Sequence, residues 1–289
     1  MAHDPGIPLI EHLAARLPEL RRSERKVAEL VASDPAFVVN ATMAAVADAA
    51  GVTDPTVMRF ATALGFDGFQ QFRLALAQSL ALGMPATLST ISPRDSAGEL
   101  STKVFDHTIS SLDRARRALD PEQIERSVVA ILAANSVTFL GLGASAIIAA
   151  DAAQKSPHFG VPCLAPGDPH QQFMAAAVSG PGHVFVAISN TGETSSILDI
   201  ATAAKGAGAT VICITGEADS SLVGIVDIPI IVRTFEDTDT LTPSVSRLAG
   251  LVVVDILATA VSLRRGSAHA ARLASMKEQL ASFRRSRVE

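Results

Sequence analysis

The sequence predicts an all-α N-terminal domain followed by an α/β domain, the second a parallel five-stranded sheet with helices on both faces. Three observations carry this expectation. Residues 1–82 read as helical throughout, with no run that alternates like a strand. Residues 83–96 are rich in Gly, Pro, Ser and Thr and lack periodicity, which marks a linker. Residues 97–289 then interleave short apolar runs with helical stretches, the pattern of a parallel sheet buried between helix layers.

The elements follow in order. Helices are predicted over 99–118 and 121–134. A strand over 136–140 leads into a helix over 146–159 and a short strand over 161–164. A strand over 184–189 leads into a helix over 195–207. Strands over 210–215 and 228–232 complete the sheet. A long apolar helix over 244–263 and an amphipathic, basic-ended one over 268–287 close the chain.

Composition narrows the function classes. The chain has 289 residues, 48% hydrophobic and 18% charged, which is globular rather than disordered. It contains no Trp or Tyr, so an aromatic-lined sugar groove or a base-stacking platform is not expected. Cys163 and Cys213 each lie in an apolar run and are expected to face a core, which fits a reduced, cytoplasmic protein. The first twenty residues carry Asp4, Glu11, Arg16 and Glu19 and no export signal is expected. The apolar run 248–263 is short for a membrane span and contains Asp255, so it is expected to be a buried helix. The seven His show no metal-ligand spacing, and neither a metal nor a cofactor is expected. The formal net charge of −5 argues against nucleic-acid binding by bulk positive charge.

Local patterning says more. In the segment 43–64, small Ala47 is followed by Gly51 and then by apolar Val57. A helix-turn-helix needs these types at this spacing: a small residue for close helix approach, a glycine for the tight turn, an apolar anchor for the second helix. Thr53 is expected as that helix's N-cap, with Pro55 in its first turn. Val57, Phe60, Ala61 and Leu64 form its inward stripe, which leaves Thr53, Asp54, Thr56, Met58, Arg59 and Thr62 for other faces. Side chains near the start of such a helix reach base edges, and Arg59 suits a guanine edge or a phosphate. Arg21, Arg22, Arg25 and Lys26 cluster upstream, although residues 1–82 hold seven Lys and Arg against nine Asp and Glu. A plain helical hairpin without DNA remains open on these residues alone.

The stretch from Leu20-Arg-Arg-Ser-Glu-Arg-Lys-Val-Ala28 through Asp34-Pro-Ala-Phe-Val38 to Arg59-Phe60, with Leu64-Gly-Phe-Asp-Gly-Phe69, resembles the DNA-binding domain of RpiR/MurR-type transcriptional regulators. The resemblance implies a double-stranded DNA operator as partner. It places Arg22, Arg25, Thr53, Asp54, Thr56, Met58 and Arg59 as the candidate DNA-contacting residues. Thr53 stands where the family usually has Ser, and Asp54 adds a negative charge at the helix start.

Two strand-to-helix turns in the second domain could hold an anion. Gly141-Leu-Gly143-Ala-Ser145 offers helix N–H groups and a hydroxyl. It nearly spells a dinucleotide fingerprint, but no acidic ribose partner follows in 161–165. Ser189-Asn-Thr-Gly-Glu-Thr194 crowds Ser189, Asn190, Thr191 and Thr194 around Gly192, uncharged donors that suit a phosphate without Lys or Arg. An ordinary capped helix would also use such residues.

Together these turns resemble the sugar isomerase (SIS) domain over about residues 99–263, the second matching its Ser-x-Ser-Gly-x-Thr phosphate loop with Thr191 for the second Ser. The resemblance implies that Gly143, Ser145, Ser189, Asn190, Thr191, Gly192 and Thr194 bind a phosphorylated sugar or sugar acid. His170, in Asp168-Pro-His-Gln-Gln172, is placed either near the sugar or at a helix start. An isomerase would need a base before the long last helix. Glu236, Asp237 and Asp239 are nearest, in what is expected to be a solvated loop, and no carboxylate is expected at the helix start itself. The expectation is therefore a non-enzymatic regulator, with a sugar-phosphate isomerase as alternative. It should self-associate as a homodimer or homotetramer through the helices 99–118 and 244–263, the stretch Ser244-Val-Ser-Arg247 with Asp255 included.

Overall fold

The computed structural model describes Leu9, Leu13 and residues 16–81, 95–236 and 244–285. Most of the expected linker lies outside them, as do Asp237 and Asp239. The chain divides into two compact units, 1–113 and 114–289.

The first unit is helical. After a 3-10 turn at Leu17–Glu19 come α1 (Arg22–Ser33), α2 (Pro35–Asn40), α3 (Met43–Ala50), α4 (Asp54–Ala63) and α5 (Phe69–Ala81). Gly51 ends α3 in the left-handed region at φ 63°, as the turn between paired helices requires. Val27, Val31, Val46, Val57, Phe60, Leu64, Phe72 and Leu76 are fully buried in one core. Phe72 is its hub: its ring lies 5.2 Å from Phe60 and 5.6 Å from Phe66, both edge-on. Thr53 is the N-cap of α4, but its hydroxyl faces the Thr56 hydroxyl at 3.2 Å instead of a helix N–H.

Helix α6 (Ala97–Ala118) spans the division between the units. The second unit continues with α7 (Pro121–Ala133), β1 (Ser136–Leu140), α8 (Ala144–Gln154), α9 (Ser156–Phe159), β2 (Cys163–Leu164), α10 (Pro169–Ala177) and β3 (His183–Ile188). Then come α11 (Ser195–Gly206), β4 (Thr210–Thr215), α12 (Ser221–Ile225), β5 (Ile228–Ile231), α13 (Val245–Arg264) and α14 (Ser267–Arg285). All pairings are parallel, in the order β2-β1-β3-β4-β5.

Two expected elements differ. The helix 146–159 is two helices, because Pro157 has no N–H to offer the carbonyl four residues back. Strand 161–164 shrinks to two residues at the sheet edge, so Cys163 is half-buried while Cys213 is fully buried. Burial pushes the Cys163 thiol up to about 11 and Cys213 to about 12.

The apolar helix α13 is a core helix. Val245, Ala249, Gly250, Val253, Val254, Leu257, Ala258 and Val261 form its buried face, packed on α7, α8 and α9. At Gly250 the neighbour is so close that an added Cβ would lie 2.8 Å from Ile148 Cδ1. Arg264 at its far end makes a two-pronged pair with Glu125 of α7, at 2.5 and 2.6 Å.

Truncating Phe72 to Ala should cost about 3–5 kcal/mol, because it leaves a cavity at the hub that the other aromatic rings of this core pack against. Denaturant unfolding followed by circular dichroism would show the loss.

Candidate functional site

The second unit has a cleft of about 190 Å³ at the carboxyl ends of β1, β3, β4 and β5. This is where open parallel sheets bind ligands, because strand ends give way to helix N-termini there. Its lining includes Ser145, Ser189, Asn190, Thr191 and Thr194, and also Thr215, Val232, Ser246, Arg247 and Gly250. The two expected turns therefore meet in one place.

The first turn is held by close approach. A Cβ on Gly141 would lie 2.6 Å from the Ser145 carbonyl oxygen. Gly143 adopts φ 56° and starts α8. Gln172 Nε2 donates to the Gly141 carbonyl at 3.0 Å and to the Pro166 carbonyl at 2.8 Å. Gln172 is fully buried, and its Oε1 has no protein partner. His170, two residues earlier, is exposed and outside the lining; Asp168 caps α10 by accepting from its backbone N–H. His170 stands in the first turn of α10, and Gln172 of the same motif is the residue that reaches the turn after β1.

The second turn is a hydroxyl cage. The Gly192 N–H donates to Ser189 Oγ at 3.2 Å, and Ser189 Oγ lies 3.3 Å from Thr194 Oγ1. The Glu193 N–H donates to Thr191 Oγ1 at 3.3 Å. Thr215 Oγ1 donates to the Asn190 carbonyl at 3.2 Å, which ties the loop to β4. Gly192 sits at φ 65°, where an added Cβ would run into Ser220 Oγ and stand 3.1 Å from Thr215 Oγ1. Only glycine fits this position. Thr194 starts α11 without capping it, so the first N–H groups of α11 stay available to an outside acceptor.

Two residues at the start of α13 were not expected at the site. Ser246 and Arg247 line the cleft, whereas their stretch was expected at a self-association surface. Arg247 is the one ionisable residue among the described lining residues, and no carboxylate among the described residues pairs with it. It adds a charge to the uncharged donors of the two turns. Its signal was present, because Ser-x-Ser-Arg after a β-strand reads as another helix start.

The expectation that no carboxylate sits at this helix start is also corrected. Glu236 folds back over α13 and accepts from the N–H groups of Ser244, Val245 (3.1 Å) and Ser246 (2.8 Å). Burial raises its pKa, and the hydrogen bonds from Ser246, Ser244 and Val245 outweigh that and hold it below the usual value. Lys155 pairs Asp151 with Asp255, the latter at 3.2 Å, so Asp255 also takes part in a local ion pair.

In the first unit, Arg22, Thr53, Met58 and Arg59 are exposed and Asp54 is half-buried. Arg25 is tied to its own turn, donating to the carbonyls of Leu20 (3.0 Å) and Pro18 (3.1 Å). Thr56 differs from expectation: it is 4% exposed, its hydroxyl lies against that of Thr53, and Arg59 Nη2 donates to it at 2.9 Å.

The Glu236 bonds make a pH prediction. A carboxylate whose pKa is lowered on folding stabilises the protein above its unfolded value of 4.5 and loses that contribution as pH falls through the lower folded value. Glu236→Gln should therefore melt below the parent at neutral pH, with the gap closing in acid; thermal melts across that range would measure it.

The rpiR-family helix-turn-helix domain matches residues 7–83, and the SIS domain matches residues 130–260. The chain is 39% identical over 272 residues to the HTH-type transcriptional regulator HexR of Pseudomonas aeruginosa, covering 94% of this chain and 95% of that protein. To HexR of Escherichia coli it is 38% identical over 277 residues, covering 94% of each. It is also 35% identical to the bifunctional protein glk of Paraburkholderia xenovorans, over 85% of this chain but 38% of that protein. Among solved structures, the Vibrio vulnificus NanR protein complexed with ManNAc-6P shares the fold with a TM-score of 0.60 at 21% identity, over 95% of this chain and 98% of that one. The sugar isomerase domain of an RpiR transcription factor from Sphaerobacter thermophilus does so with a TM-score of 0.56 at 21% identity, over 62% of this chain and 98% of that one. The chain belongs to the RpiR family of helix-turn-helix transcriptional regulators that carry a SIS domain.

Proposed function

We propose that this DNA-binding regulator of carbohydrate metabolism is controlled by a phosphorylated sugar or sugar acid held in the cleft of its second unit. The observation that carries the reading is the cleft's donor set. Ser145, Ser189, Asn190, Thr191 and Thr194 surround it, Arg247 adds positive charge, and no carboxylate is among its described lining residues. Helix N-termini and neutral donors favour a phosphate dianion, and an acidic lining would repel it. The family's DNA reader, with Arg22, Thr53, Met58 and Arg59 exposed on the first unit, supplies the output. In this reading residues 1–82 bind the operator and residues 97–289 form the effector domain.

The reading is non-enzymatic. Glu236 is the described carboxylate nearest the start of α13, and its oxygens are engaged by three backbone N–H groups. A carboxylate held ionised and fully bonded is a weak base for ketose–aldose proton transfer. The protein works in the cytoplasm and self-associates. Leu100, Val104, Phe105 and Ile109 of α6, and Leu248 and Val252 of α13, are apolar and exposed, which favours a homodimer or homotetramer. Paired readers can then grip two half-sites, and a ligand that prefers one arrangement shifts the equilibrium between them.

Fluorescence anisotropy on duplexes selected by the full-length protein from a random pool tests this. Arg59→Ala should abolish selective binding. One member of a sugar-phosphate panel should alter it, and Ser189→Ala or Arg247→Gln should weaken that response about tenfold, as loss of a charge-assisted hydrogen bond does. Turnover of a sugar phosphate that Glu236→Gln removes would overturn the non-enzymatic reading.

A further inference from the structure

We infer that Glu24 is a positioning residue that aims Arg59 of the DNA-reading helix. The inference rests on the proposed role of Arg59 at DNA. Among the described residues, Glu24 is the only buried carboxylate, at 5% exposed. A buried charge requires compensation. Its Oε2 accepts from the Arg21 N–H at 2.9 Å and so closes the first turn of α1. That task uses one oxygen and no charge. The other, Oε1, faces Arg59 Nε at 4.0 Å across the contact between α1 and α4.

Arg59 is held on a second side as well. Its Nη2 donates to Thr56 Oγ1 at 2.9 Å, and Thr56 is buried. The guanidinium is therefore hydrogen-bonded at Nη2 and faces a buried carboxylate at Nε, 4.0 Å away, while the side chain stays 53% exposed. A free arginine has several rotatable bonds to order on binding. One hydrogen-bonded at Nη2 and attracted at Nε by a buried carboxylate has fewer orientations to lose, which favours bidentate recognition of a base edge. Glu24 also lowers the local positive charge, which disfavours indiscriminate phosphate binding. Its effect is thus on selectivity more than on affinity at large.

Glu24→Gln separates the two tasks. Glutamine still accepts from the Arg21 N–H, so the helix start survives, but the charge facing Arg59 is gone. The full-length protein would be titrated by anisotropy against its selected duplex and a scrambled one at several salt concentrations. Thermal melting runs alongside. Glu24→Gln should melt like the parent, lose about tenfold in affinity for the selected duplex, and bind scrambled DNA as tightly or more so. Thr56→Val should show the same selective loss. In the Arg59→Gln background, Glu24→Gln should add no further loss, because it acts through that side chain. Selected-duplex affinity held within about twofold in Glu24→Gln, or a loss that adds fully to that of Arg59→Gln, overturns the inference. A uniform gain on both duplexes also overturns it and leaves a plain charge effect. If Arg59→Gln itself binds both duplexes like the parent, the reading of Arg59 falls and takes this one with it. Loss in Arg59→Gln without loss in Glu24→Gln removes only the role of Glu24.

Discussion

An acidic chain that binds anions cannot rely on bulk charge. With a formal net charge of −5, this protein must favour phosphate locally, by the direction of its N–H and O–H groups. The parallel sheet supplies the means. Every strand of such a sheet ends on the same edge, and every following helix begins there, so unpaired N–H groups converge without any lysine. The cleft, its hydroxyl cage and the glycines that let backbone approach backbone follow from that arrangement.

Much of this was legible in the sequence, and the reasons differ by element. Strands β1 and β4 begin and end where they were expected, because their β-branched and aromatic residues are buried on both faces and charged residues are absent from the runs. Gly51, Gly143 and Gly192 all adopt positive φ, and each sits in a turn picked out by spacing alone. The family resemblance agreed with the residue-level reading because both rest on the same turns.

What the sequence hid was long-range. Glu236 was expected in a solvated loop, yet it reaches eight to ten residues forward to the N–H groups of α13. No periodicity records a chain folding back on itself. Arg247 was grouped with a self-association surface because its stretch resembles the regulator family's; its place at the cleft depends on where the chain returns to the sheet, which no local pattern records. Gln172 was passed over for His170, since histidine carries chemistry and glutamine does not, but burial and two carbonyl acceptors make Gln172 the structural tie. Thr56 was grouped with the outward residues of α4, although it is buried there and its hydroxyl accepts from Arg59 one turn on.

The close packing at Gly250 has a mechanical consequence. With only a hydrogen where a side chain would be, the backbone of α13 rests directly on the Ile148 side chain of α8. Both helices start at the cleft and run away from it side by side. A side chain larger than hydrogen at position 250 would push Ile148 aside and part the two helices whose first turns line the cleft. The separation of Ser145 from Arg247, and with it the width of the cleft, is therefore set by a helix contact and not by the loops alone.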